Sequence, residues 1–162
     1  LSASALERIL PGKEGCWDTA TVMSSVRLDR DGRLVVGAAG SLSHLGASVH
    51  TNWAYRKMVA LYPFLKGEAI EHAWYGTIGM TSDHLPRVYR ISDSAYGVFG
   101  YSGRGIAPGT VFGRAVAHAL LRNTEDELPV TPVTAYSQNF KRTTQAYYET
   151  GCVAMHLVAE RI

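Results

Sequence analysis

Apolar residues change their period several times along the chain, and each change predicts an element. Residues 4–10 read as a short helix stopped by Pro11-Gly12. Residues 19–28 and 34–38 read as two strands. Between them Asp29-Arg30-Asp31-Gly32 is a hairpin loop in which Gly32 supplies the left-handed position. Arg27 and Arg33 flank that turn as solvated edge charges. After a polar, glycine-bearing loop at 40–46, Thr51 or Asn52 caps a helix that runs to about Tyr62, where Pro63 stops it. Trp53, Ala54, Met58 and Leu61 sit near one face of this helix, and Trp53 and Met58 read as core.

Residues 69–81 form a long extended stretch broken by Gly76 and Gly79, which mark a bulge or a close approach of another backbone or ligand. Trp74 and Tyr75 alternate in direction there, so one is expected toward the core and the other toward a cavity. Residues 81–86 turn, with Asp83 placed to accept from a backbone N–H two residues on. Strands follow at 87–91 and 96–99, joined by Asp93-Ser94. Residues 111–121 then carry Val111, Ala115, Val116, Ala119 and Leu120 at helical spacing. A polar linker (123–127), a proline-bearing stretch (128–132) and a helix over 137–162, with Gly151 as a point of interruption, complete the chain. Successive strands with short connections predict an α+β fold, an antiparallel-rich mixed sheet with flanking helices.

A length of 162 residues suffices for one domain with a real core. The net charge of +2 is too small to argue for nucleic acid or an anionic membrane. No apolar run approaches the ~20 residues of a membrane span, and no basic-then-apolar signal segment opens the chain. Cys16 and Cys152 make neither a disulfide framework nor a metal site, so a reduced, cytoplasmic protein is expected. The chain starts at Leu1, as a piece of a longer polypeptide would.

Six histidines invite a metal, yet none forms an H-x-x-x-H pair or an H-x-E arrangement with a downstream cysteine pair, and no metal is expected. No G-x-S-x-G elbow or carboxylate pair is present either, so no catalytic residue is assigned. The stretch with most chemical content is Gly100-Tyr101-Ser102-Gly103-Arg104-Gly105-Ile106, between a strand and a helix. Strand, glycine turn and helix point free backbone N–H groups at an anion. The same run also reads as a tight connection with no ligand. Its order is G-x-x-G-x-G, not the G-x-G-x-x-G of a dinucleotide fold, and no Gly-Lys-Ser/Thr follows.

The run "GYSGRGIAPGTVFGRAVAHAL", preceded by "WYGTIGMTSDHLPRVYRI", resembles the C-terminal portion of FAD-dependent amine and amino-acid oxidoreductases. These are the glycine oxidase, sarcosine oxidase and D-amino-acid oxidase-like flavoproteins, with gamma-glutamylputrescine oxidase-like members close in flavour. "LDRDGRLVVGAAG" is similar to that family's hairpin. The resemblance covers most of residues 1–122, leaving 123–162 as a linker and C-terminal helix. It implies FAD as cofactor and a small amine or amino acid as substrate. It places Gly100, Tyr101, Ser102, Gly103, Arg104, Gly105 and Ile106 beside the flavin ring. It makes Trp74, Tyr75 and Arg104 candidate substrate contacts. Arg104 stands where many relatives carry His, and Ala107 where sarcosine oxidase-like relatives carry Lys, which leaves oxidase and dehydrogenase both open. The N-terminal Rossmann fingerprint of the family has no counterpart here, so the chain by itself is expected to bind FAD weakly or not at all. The alternative is a non-catalytic α+β module whose sheet and C-terminal helix bind a partner or form a homo-oligomer.

Overall fold

The Asp29–Gly32 run turns the chain as its residue types dictate. Asp29 Oδ1 accepts the backbone N–H groups of Asp31 and Arg33 at 2.9 and 2.8 Å, and Gly32 takes φ +75°. A computed structural model describes residues 1–159, and they fall into two units. The first comprises Leu1–Gly76 and the C-terminal segment from Arg142; the second is Thr77–Lys141.

In the first unit a three-stranded antiparallel sheet has the order β1 (Cys16–Trp17), β2 (Ser24–Leu28), β3 (Leu34–Ala38). β2 and β3 pair with Val26 opposite Val36. Helix α1 (Ala3–Leu6) starts where Ser2 Oγ accepts the Ala5 N–H. Ala5 and Ile9 then pack with Met58 of α2 (Leu45–Leu61) and Leu65 of the following 3-10 turn, with Leu28, Leu34 and Val36 against them. Trp53 is buried, as its place on the helix predicts.

Several element boundaries differ from the expectation. Residues 19–23 are not strand, because Asp18 gathers the chain into a turn. Its Oδ1 accepts from Ala20 N and Ser24 N, and its Oδ2 accepts from Ser24 Oγ at 2.5 Å and Lys57 Nζ at 2.8 Å. Burial alone would raise the pKa of this carboxyl. The hydrogen bonds from Lys57, Ser24 and Ala20 outweigh burial and hold it far below the usual carboxylate range. Second, α2 begins at Leu45 instead of Thr51, with Gly46 pressed so close to Ser41 that a Cβ would lie 2.3 Å from that carbonyl oxygen. Third, residues 69–80 belong to no strand or ladder among the described residues. Both Trp74 and Tyr75 are exposed there.

In the second unit β4 (Arg87–Ser92) and β5 (Ala95–Phe99) form an antiparallel hairpin with Val88 opposite Val98. Val133 joins β4 by a parallel bridge, exchanging bonds with Val88 O at 2.8 Å and Arg90 N at 2.9 Å, so the sheet is mixed. Helix α3 (Ile106–Arg122) buries Phe112 and Ala119, and Asn123 in the left-handed region ends it. It starts one turn earlier than the apolar spacing predicts. Pro108 lies in its first turn, where a missing N–H costs nothing. Helix α4 (Lys141–Val158) passes through Gly151 without a break. The last residues assigned to this helix from sequence lie outside the described residues. The architecture is α+β with antiparallel sheets and flanking helices, as the sequence pattern predicts.

Candidate functional site

The turn between β5 and α3 is built on two glycines and a buried threonine. Gly100 takes φ +80°, and a Cβ there would sit 2.5 Å from Thr81 Cγ2. Thr81 is 2% exposed, and its hydroxyl donates to Leu85 O at 2.7 Å. The chain then passes through Ser102 at φ +52° and Gly103 at φ +81°. Two amides of the turn are used internally. Ser102 N donates to Gly79 O at 3.2 Å, and Arg104 N donates to Tyr101 O at 3.0 Å.

The amides of Gly103, Gly105, Ile106 and Ala107 donate to no group among the described residues. Gly103, Ile106 and Ala107 are exposed, and Gly105 is half-buried. Gly105 is the N-cap of α3 and has no side chain to satisfy the helix's first donors. No acidic residue stands in the first turn. The N-terminal end of a 17-residue helix therefore faces outward with unspent donors and an uncompensated positive dipole end. Such an end attracts anionic or electron-rich oxygen and nitrogen.

Tyr101 supports this turn from below. A Cβ on Gly105 would meet its ring at 3.5 Å, and the ring stands edge-on to Phe112 at 6.3 Å. The Arg104 side chain is exposed and forms no ion pair among the described residues. Trp74 and Tyr75 lie in the first unit, where Tyr75 Oη and Ser43 Oγ are 3.1 Å apart. Asp83 closes the 81–86 turn. Its carboxylate accepts from Arg87 Nη2 at 2.6 Å and from Leu85 N at 3.2 Å, and chiefly the Arg87 bond lowers its pKa to about 2. Thr81 was not assigned a role from sequence. Only its contact with Gly100, far along the chain, reveals it as the wedge that fixes where the turn leaves β5. Among the described residues no three His, Cys, Asp or Glu side chains cluster to hold a metal.

The profile of the FAD dependent oxidoreductase family matches residues 3–119. The chain belongs to the FAD-dependent oxidoreductase family. Among curated proteins, a probable oxidoreductase OrdL of Haemophilus influenzae is 31% identical over 77% of this chain and 28% of its own length. A protein of the same name from Rhizobium meliloti is 31% identical over 74% of this chain and 28% of its own length. The gamma-glutamylputrescine oxidoreductase of Escherichia coli is 26% identical over 77% of this chain and 29% of its own length. The chain thus spans less than a third of the length of these relatives. No solved structure matches it. Membership of the FAD-dependent oxidoreductases implies FAD in the full-length protein. The open turn fits an electron-rich group of that kind, since its four unspent N–H groups have no acceptor among the described residues. No helix among the described residues of this flavoprotein-family chain is long and apolar enough to cross a membrane.

Proposed function

We propose that this chain supplies the flavin-facing turn and an aromatic contact surface of an enzyme that oxidises an amine or amino acid to its imine. The observation that carries this reading is the set of unspent amides at Gly103, Gly105, Ile106 and Ala107. Bound FAD would supply the two-electron acceptor for the hydride equivalent lost from the amine-bearing carbon, and hydrolysis of the imine would give a carbonyl compound and ammonia or, from a secondary amine, a smaller amine. The open amides and the dipole of α3 would hold the electron-rich edge of the flavin and would stabilise negative charge developing there. They are fixed in place before reaction and cost little reorganisation. Tyr101 and Thr81 keep the turn in that shape. Arg104 contributes a permanent positive charge beside the same amides, suited to a substrate carboxylate or to the reduced ring. Trp74 and Tyr75 offer apolar faces for the carbon skeleton of the substrate.

An amine substrate is supported by the name of the Escherichia coli relative, and FAD by the family. The adenosine half needs a G-x-G-x-x-G segment after a strand, which these residues do not contain. Such a segment is expected in the same polypeptide upstream of Leu1. The test is the visible spectrum of the full-length product, followed by anaerobic titration with a panel of amines and amino acids. A flavin spectrum bleached by at least one of them is expected. A colourless product, or a flavin that no amine bleaches, rejects the proposal in favour of a non-catalytic module. The 162-residue chain alone is expected to bind FAD weakly or not at all.

A further inference from the structure

We propose that Glu149 of α4 is a positioning residue that sets, through Ser41 and Ser43, where the Tyr75 ring meets the substrate. This rests on the reading of Tyr75 as a substrate contact. Residues 69–76 belong to no strand or ladder among the described residues, so hydrogen bonding between strands does not fix the place of that ring. The ring is 54% exposed, and its hydroxyl ties it to the first unit, with Tyr75 Oη and Ser43 Oγ 3.1 Å apart. The nearby Glu71 carboxylate meets Arg33 Nε at 3.3 Å, but both side chains are exposed and such a pair holds little.

Ser43 is held through its main chain. Its N–H donates to Ser41 Oγ at 3.1 Å, and its carbonyl accepts from Gly46 N at 3.0 Å, at the entrance to α2. The hydroxyl is left for Tyr75. Ser41 in turn is fixed from α4, since its N–H donates to Glu149 Oε1 at 3.1 Å. The same carboxylate oxygen lies 3.5 Å from Nε2 of the buried His50. Gly46 leaves the loop no slack. A Cβ there would stand 2.3 Å from Ser41 O and 3.3 Å from Glu149 Oε1. Glu149, Ser41, Ser43 and Tyr75 thus form one connected line, all of it inside the first unit.

A carboxylate accepts more strongly than a neutral oxygen, so the bond from Ser41 to Glu149 anchors the line and the links beyond it depend on it. The family profile ends at residue 119, and α4 begins at Lys141. The restraint on Tyr75 therefore comes from outside the matched segment. A phenol ring that packs on the carbon skeleton of a substrate touches it equally before and during the reaction. Its displacement raises KM and leaves kcat alone. Losing the net worth of one neutral hydrogen bond corresponds to about two- to tenfold in that KM.

The test uses the full-length protein labelled with fluorotyrosine, the Tyr75 resonance being assigned by Tyr75→Phe. Glu149→Ala and Ser43→Ala should each move that resonance toward the position of the free amino acid, while those of Tyr55 and Tyr62 stay. Glu149→Gln keeps an oxygen that accepts the Ser41 N–H and should leave the resonance in place. With an amine that bleaches the flavin as substrate, Glu149→Ala should raise KM by about two- to tenfold at constant kcat. Adding Ser43→Ala should raise it no further, because both changes break the same line. A Tyr75 resonance or a KM that ignores Glu149→Ala overturns the proposal, and so does a fall in kcat without a rise in KM. Where Glu149→Ala does not fold, an unmoved resonance or KM in Ser43→Ala overturns it instead. A full-length protein that oxidises no amine rejects the enzyme reading on which the proposal rests, and the fluorine spectra tell that failure apart from a failure of the line to hold Tyr75.

Discussion

Gly100→Ala is the sharpest probe of how the candidate site is held. The new methyl group meets two separate obstacles. The backbone is at φ +80°, where an L residue with a Cβ loses about 1–2 kcal/mol. The Cβ would also lie 2.5 Å from Thr81 Cγ2, and Thr81 is 2% exposed with nowhere to retreat. Overpacking of this kind costs about 1–3 kcal/mol. The expected total is about 2–5 kcal/mol. Thr81→Ser separates the two. It deletes the colliding methyl but keeps the hydroxyl that donates to Leu85 O, and by itself costs about 0.5–1.5 kcal/mol, as small methyl deletions do. In the double variant the collision disappears while the backbone penalty stays. The pair should therefore cost less than the sum of the single changes by about 1–3 kcal/mol. Urea unfolding reads this as a midpoint shift at constant slope, with about 2 kcal/mol moving the midpoint by roughly 1 M. Strict additivity would refute the wedge role of Thr81. An unchanged midpoint for Gly100→Ala would refute the whole account of the turn.

Ile106→Asp separates helix stability from cofactor binding. Ile106 is 93% exposed, so no packing is lost, and a carboxylate at the start of α3 should stabilise the helix by about 0.3–1 kcal/mol. The same charge competes for the open amides, so the full-length protein should retain less flavin through gel filtration. Undiminished retention would argue against these amides as the flavin contact. For Asp83, whose pKa is lowered to about 2, carboxyl NMR should show ionisation persisting through the range where free aspartates titrate. Its folded-state pKa is depressed, so the contribution of this carboxylate to stability is present above the ordinary value and is lost as pH falls from there toward about 2. Arg87→Gln should return the titration toward the ordinary aspartate range, and an unmoved titration would assign the shift to the Leu85 amide instead.

What could be read from the sequence was local. The Asp29–Gly32 turn, the β4–β5 hairpin and the glycine connection to α3 each depend on residues close together in the chain, whose types dictate φ and hydrogen bonding. The boundaries that failed depend on distant partners. Residues 19–23 alternate well enough for a strand, but Lys57 reaches Asp18 from α2 and helps hold a turn. The start of α2 is set by the packing of Gly46 on Ser41, which no periodicity encodes. His50 and His156 stand 106 residues apart in the chain, and only the packing of α4 on α2 brings their Nδ1 atoms to 2.7 Å. The glycine turn was legible as a place where an anion is welcome. Which of its amides remain unspent was not, because Gly79 and Tyr101 take two of them.

Residues 69–80 carry a further consequence. They lie outside any ladder, with Trp74 and Ile78 at 68% and 59% exposure. Main-chain groups outside any ladder, beside bulky apolar side chains, are a template for strand addition by any passing chain. Preparations in which nothing covers this ribbon should precipitate as concentration rises. Lysine placed at position 74 or 78 should act as a gatekeeper and restore solubility without disturbing the buried core.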